Sequence, residues 1–503
     1  MTVLLNLAIG LPLAGCVGLA ALPAATGRRW APTVGVVVAG LTLALAVWIA
    51  AVFDRGASGE VQLVTDLEWA PALGLSWRLG VDGLSLPFVV LAALLVFCCL
   101  LYTVRVKPHG GRLRAFVALV LLLEVGMIGT FLAFDLLLFF LFFETVLIPM
   151  WFVIAWWGEP KDQPGRVAAA TTFILYTLLG SAVMLIGFLI VGARAGTFDM
   201  VELAAQGGAG LPGGVQLVAA LAIVGGLAVK VPLWPLHTWL PDAHAKAPTV
   251  GSVLLAGVLL KMGSYGLVRI AVPIVPDGVR QIAPVIGGLA VVGIVYGALA
   301  CLAQNDLKRL VAYSSVGHMG FVVLGVATMT PAGLNGSVFA GLAHGLITGL
   351  LFFLAGAIKD RHGTSGFAGL GGGMYVRLPR LAALLTFAAI ASLGLPGLAG
   401  FWGELLAIIG TFRPAQVLDR PYFLGLLVVA LVGLVLTALY LLATVRRVCQ
   451  GEDTIGPRLP VLGDVTRHET VTWAPLVVLI VLLGVWPGLV LTLVDPVWQA
   501  VAL

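Results

Sequence analysis

Apolar stretches of about twenty residues recur about fourteen times along this chain, separated by short polar turns, which is the length a helix needs to cross a bilayer. Expected spans lie near residues 2–23, 31–53, 84–104, 113–133, 134–157, 167–193, 215–240, 249–272, 280–303, 308–328, 333–359, 379–411, 422–446 and 472–494. Across the 503 residues, 60% are hydrophobic and 10% charged, and mean hydropathy is +1.10. That balance excludes a water-soluble protein and implies an all-α polytopic membrane protein of about fourteen transmembrane helices. MTVLLNLAIGLPLAGC lacks the positive n-region of a signal peptide and runs on into apolar sequence, so it reads as the first span. The cysteines, Cys16, Cys98, Cys99, Cys301 and Cys449, form no CxxC pair, which argues against a disulfide framework, a zinc site or an iron–sulfur cluster. No GxGxxG follows a strand pattern, and the scattered basic residues give no nucleic-acid signal.

The basic residues report orientation. Of the 28 Lys and Arg, nineteen fall in odd-numbered loops, six in even-numbered loops and three within spans. By the positive-inside rule the odd loops are cytoplasmic, and an even span count then places both termini on the outer face.

Charge inside hydrocarbon is the expensive feature. Glu144, Lys230, Lys261 and Glu404 each sit near the middle of an apolar stretch. At about 2.5–3.5 kcal/mol apiece on insertion scales, the four ask for on the order of 10 kcal/mol before any pairing. His318 and His344 add two more mid-span titratable groups, with Ser314 and Ser315 on the face of His318 and Thr348 one turn beyond His344. For a single buried Lys or Glu a structural ion pair is as good a reading as transport, and a lone histidine more often makes a helix–helix hydrogen bond. Glu124 could equally be structural. Asp135, Asp242 and Asp306 lie where capping or pairing is the default, and Trp151, Trp156 and Trp157 are expected in an interfacial belt. Six mid-span groups together are harder to assign to structure, and a lateral proton path requires such a row. Burial disfavours the charged form and an opposite neighbouring charge favours it, so a Glu144–Lys230 pair would change protonation as it opened or closed. Lys261 would relay through His318 and His344, with Glu404 as terminal donor or acceptor.

Two spans are interrupted. The seventh runs into VPLWPLHTWLPDAHAKAP, with Pro232, Pro235 and Pro241, and also holds His237; the twelfth contains GLPGLAG from Gly394 to Gly400. Breaks at membrane depth survive only where protein or water satisfies the backbone, and paired breaks five spans apart are the sign of inverted repeats. The expected division is 1–112 (helices 1–3), 113–275 (first five-helix inverted repeat, helices 4–8), 276–450 (second, helices 9–13) and 451–503 (a loop and helix 14).

The segments VKVPLWPLHTWLPDAHAKAPTVGSVLLAGVLLKMGSYGLVR, LKRLVAYSSVGHMGFV and LPGLAGFWGEL resemble the antiporter-like membrane subunits of respiratory complex I, NADH:quinone oxidoreductase. The resemblance covers nearly the whole chain. It implies that Glu144 and Lys230 are the coupling pair of helices five and seven, Lys261 the lysine of helix eight, and Glu404 the ionisable group of broken helix twelve. Glutamate there, and no long C-terminal extension with a lateral helix, make the M type the most similar. Leu398 and Ala399 stand where small polar residues are common, and Lys246 at a position that varies. The resemblance implies proton translocation coupled to redox chemistry in partner subunits, which would hold NADH, FMN, iron–sulfur clusters and quinone, with L-type and N-type subunits and lipid as neighbours in a bacterial inner membrane. Mrp-type sodium/proton antiporter and membrane-bound hydrogenase subunits share these motifs. A scaffold with silent charges remains a further reading.

Overall fold

The computed structural model describes residues 3–70, 75–452 and 463–499; Arg458, one of the odd-loop cations, lies outside them. Among the described residues, thirteen helices are long and apolar enough to cross a membrane. The fourteenth crossing is the twelfth in order, made of two shorter apolar helices, Pro379–Ser392 and Ala399–Phe412. The others run Val3–Ala21, Ala24–Val52, Ser85–Arg105, Leu113–Leu132, Leu136–Trp157, Gln163–Ala195, Gly213–Lys230, Thr249–Ile274, Pro276–Leu302, Leu307–Ala327, Pro331–His362, Arg420–Cys449 and Arg467–Val485. This is a multi-pass helical membrane protein. One helix is its axis: the eleventh span, Pro331–His362, is buried throughout its apolar stretch, whereas only about a third of that stretch is buried in the first, second, thirteenth and fourteenth spans.

Letters that break helices explain two interruptions. The seventh span ends at Lys230, passes through a non-helical stretch and resumes as Trp239–Lys246. Pro232 and Pro235 lie in that stretch, but Pro241 does not. It sits in the first turn of the short helix, where a missing N–H has no intrahelical partner to lose. In the twelfth span Gly394 (φ 76°) and Gly397 (φ 93°) take left-handed backbone that glycine adopts freely.

Four features differ from the sequence expectation. The fifth span is two helices, Leu136–Thr145 and Leu147–Trp157, because Pro149 cannot donate to the Thr145 carbonyl. The eighth contains two π-helical stretches, Leu255–Leu259 and Leu267–Ala271, flanking Leu260–Gly266. Between the second and third spans lies an antiparallel hairpin, Gln62–Ala70 with Leu75–Val81, in the register Thr65↔Leu79 and Asp66↔Arg78. A final helix, Gly488–Gln499, follows the fourteenth span. Trp157 is also no belt residue: it is buried and its indole donates to the Gly111 carbonyl at 2.7 Å.

The hairpin fixes the eighth span. Asp82 follows its second strand, and Arg269 reaches that carboxylate at 2.5 and 2.6 Å while lying over the rings of Phe134 and Tyr265. Both side chains are nearly enclosed. A buried charge needs such a partner.

Candidate functional site: a chain of buried titratable groups

The break in the fifth span leaves Glu144 one residue from the end of its first helix, while Lys230 is the last residue of the seventh span's first helix. Helix ends at this depth place both groups where backbone polarity is exposed within the protein. Lys230 is 2% exposed, and its ammonium lies over the Phe143 ring at 4.7 Å. Each group stands in the other's electrostatic field, yet Lys230 Nζ and Glu144 Oε1 have no hydrogen-bond partner among the described residues. No ion pair joins the two among the described residues, and the Glu144 carboxyl is bonded by Ser181.

Lys261 is held differently. It lies between the two π-helical stretches, and its side chain folds back along its own helix so that Nζ donates to the Ala256 carbonyl at 2.5 Å. The same nitrogen lies 2.5 Å from His344 Nδ1 on the eleventh span. When Lys261 is an ammonium it only donates, so Nδ1 then accepts and the neutral ring carries its proton on Nε2, which has no partner among the described residues. Gly263 allows this helix to approach the seventh: a side chain there would begin 2.8 Å from Val231 Cγ2 and 3.0 Å from Lys230 Cβ.

The far end is a second pair. His318 Nδ1 lies 3.0 Å from Glu404 Oε1, and His318 Nε2 lies 2.9 Å from Ser392 Oγ. An ionised carboxylate only accepts, so Nδ1 donates to it and Nε2 accepts from the serine hydroxyl. Ser392 ends one half of the broken twelfth span and Glu404 lies in the other, so the break brings both to one histidine. The two histidine rings are 5.7 Å apart, edge to face. His318, His344, Thr348, Ser392 and Glu404 line a cavity of about 20 Å³, room for about one water. The spatial order is thus Lys261, His344, His318, Glu404, with His344 ahead of His318.

Other expected residues fall elsewhere. Ser314 and Ser315 turn their hydroxyls onto the Val311 carbonyl, and among the described residues no hydrogen bond joins either to His318. Asp135 caps the fifth span by accepting from Leu137 and Leu138 N–H, each at 2.9 Å. Asp242 is exposed and paired with Arg309 at 3.0 Å. His237 is buried against Tyr296, with Nδ1 unpartnered among the described residues. Glu124 is wholly buried, and neither oxygen has a partner among the described residues.

One buried group escaped the sequence reading. His244, in the short helix of the broken seventh span, is 0% exposed and stacked on Phe352, with both nitrogens unpartnered among the described residues. It feels the charges of Lys261 and Lys308. Lys308, whose ammonium donates to the Ala247 carbonyl at 2.8 Å, lines a vestibule of about 600 Å³ together with Glu159, Lys359 and Asp360. The stripe Leu240, Ala243, His244, Ala247 is the signal that could have found it, since i, i+3, i+4, i+7 spacing sets a buried face.

A family model described as "NADH:quinone oxidoreductase/Mrp antiporter, TM" matches residues 133–437, which hold all six mid-span groups. The chain belongs to this antiporter family. Among relatives of this family member, NADH-quinone oxidoreductase subunit M of Rhodobacter capsulatus is 40% identical over 98% of this chain and 95% of that protein. A chain of respiratory complex I from Thermus thermophilus superposes with a TM-score of 0.85 at 31% identity, covering 99% of both chains. A chain of the Mrp complex from Dietzia sp. DQ12-45-1b superposes equally well, with a TM-score of 0.85, at 25% identity, over 99% of this chain and 97% of that one. Two branches of the antiporter family thus share this helix arrangement.

Proposed function

We propose that this chain is an M-type, proton-translocating membrane subunit of an NADH:quinone oxidoreductase, driven by redox chemistry in partner subunits that carry NADH, FMN, iron–sulfur clusters and quinone. The observation that carries the reading is the pair of contacts Lys261–His344 and His318–Glu404 meeting at a water-sized cavity. A proton released by Lys261 has an acceptor at His344 Nδ1. His344 can lose its Nε2 proton through one water to His318, and His318 can pass one to Glu404. Each transfer is over hydrogen-bond distance or one water, the reach that proton transfer needs. Glu144, bonded by Ser181, and Lys230, with no ion pair between them among the described residues, form the switch: closing the pair favours both charges and opening it favours their loss. The vestibule at Lys308 supplies the chain's link to the odd-loop side. Moving one charge against 100 mV takes about 2.3 kcal/mol, within reach of forming or breaking one buried pair.

The proposed neighbours are L-type and N-type antiporter-like subunits, in a bacterial inner membrane with both termini on the outer face; the name of the Rhodobacter capsulatus relative, NADH-quinone oxidoreductase subunit M, supports a place in such a complex. Residues 113–275 and 276–450 act as inverted repeats, with 1–112 and 451–503 flanking them. An Mrp-type antiporter is the second reading, favoured by the likeness to the Dietzia complex.

The test is proton pumping against quinone reduction in reconstituted complex carrying Glu144→Gln or Lys230→Ala, with assembly checked on the same sample. Loss of both activities in assembled complex is expected. Unchanged pumping and turnover would reduce these groups to structure, and sodium-dependent exchange without quinone reduction would favour the Mrp reading.

A further inference from the structure

An apolar groove of about 210 Å³ opens on the even-loop face, away from the titratable chain. Leu86, Val90 and Leu94 of the third span form one wall, Leu342 and Leu346 of the eleventh another, and Leu479 and Leu483 of the fourteenth a third, with the final helix Gly488–Gln499 closing the end. From Leu86 to Leu94 the groove runs about 12 Å into the membrane along the third span, at about 1.5 Å per residue. An apolar cavity this size does not hold water, since an engineered cavity of about 150 Å³ stays dry and takes up benzene instead. Its mouth carries a single cation. Arg55 is exposed just beyond the second span, and among the described residues it has no ion-pair partner. The neighbouring Asp54 carboxylate is occupied in accepting from the Gly56 N–H at 2.8 Å.

We propose that this groove holds one acyl chain of an anionic phospholipid, with its phosphate on Arg55. A slot lined by leucine, running along the helices and headed by an unpaired guanidinium at the membrane edge, matches the two chemistries of such a lipid in order. A chain in the groove packs on Leu342 and Leu346, which bracket His344 in sequence and occupy the opposite side of the same turns. The bound lipid therefore backs the helix segment that presents His344 to Lys261. This assignment is independent of which ion the antiporter subunit moves.

The test uses the intact complex in vesicles doped with phosphatidylglycerol or phosphatidylcholine carrying a photoactivatable group on the acyl chain, with labelled peptides mapped by mass spectrometry. The expected result is labelling of the peptides around Leu91, Leu346 and Leu483 by phosphatidylglycerol. One Arg near an anionic headgroup contributes about a fivefold preference, so phosphatidylcholine should label about fivefold less, and Arg55→Gln should bring the two lipids level. Val90→Trp, which fills the groove and leaves Arg55 in place, should abolish labelling by both. Equal labelling by the two lipids, or a preference that survives Arg55→Gln, would overturn the headgroup assignment. No labelling of these peptides by either lipid would show that a protein segment covers the groove and overturn the proposal outright.

Discussion

Asp82 and Arg269 show what one buried pair is worth to this molecule. Asp82 is 1% exposed, and removing it as Asp82→Ala leaves the enclosed Arg269 guanidinium with no anionic partner among the described residues, only the Tyr265 hydroxyl 3.1 Å from its Nε and the rings of Phe134 and Tyr265. Breaking one side of a buried pair costs about 3–5 kcal/mol, whereas replacing both sides with apolar groups is far milder. The expected outcome is a marked fall in the thermal midpoint of purified Asp82→Ala complex and substantial recovery in Asp82→Ala/Arg269→Leu. At this scale the titratable chain was legible because charge in hydrocarbon is costly, so Glu144, Lys230, Lys261 and Glu404 stand out by letter alone. What letters could not give was pairing. That His344 lies on Lys261 and His318 on Glu404 depends on how four helices meet, and the hydroxyls of Ser314 and Ser315 chose their own backbone over the histidine beside them. His244 was marked only by the stripe Leu240, Ala243, His244 and Ala247, a single repeat on a short helix after a run of prolines, which is easily passed over.

Elements meet closely where the site is assembled. The eleventh and twelfth spans touch through glycines: a Cβ on Gly403 would lie 2.4 Å from Ala340 Cα, and one on Gly336 would lie 2.5 Å from Ala407 N. Small residues at helix interfaces in membranes let backbones pack this tightly. Gly403→Ala meets backbone that cannot yield, so the second half of the twelfth span must move away and carry the adjacent Glu404 from His318. The expected result is an assembled complex with reduced thermal stability and a lower ratio of protons pumped to quinone reduced; an unchanged ratio would show that Glu404 reaches its partner without this contact. The breaks of the seventh and twelfth spans were legible because proline and glycine encode them. The fifth span's break rests on Pro149 alone, which also occurs in unbroken helices, and the eighth span's π-helical turns have no letter of their own. They flank the helical turn that carries Lys261, and hydropathy cannot see them.

Across the whole molecule, ion pairs tie the odd-loop face together, with Glu159 bound to Lys359, Lys246 to Asp162 and Arg361 to Glu469. Burial pushes the Glu159 carboxyl up, but the hydrogen bond and charge of Lys359 outweigh it and hold the group below its ordinary range. Its folded value lies below the unfolded value of about 4.3, so its stabilisation is complete above about pH 4.3 and is lost as pH falls through the folded value. Thermal stability followed downward from about pH 6 should therefore fall more steeply in wild type than in Glu159→Gln once below about pH 4.3. The titratable groups at half depth make a different use of the same chain. Among the described residues no hydrogen bond joins Lys230 to Lys261, so the Glu144–Lys230 pair and the proposed Lys261–Glu404 relay have no direct bond between their lysines. If they work in series, each is needed for every proton, and interrupting both removes no more than interrupting one. Residues in one functional unit depart from additivity in this way, while independent paths would add. Glu144→Gln, Glu404→Gln and the double variant, compared by protons pumped per quinone reduced in vesicles, should give a double variant no worse than its poorer parent. A double variant whose loss is the sum of the two would mean that the halves carry protons separately.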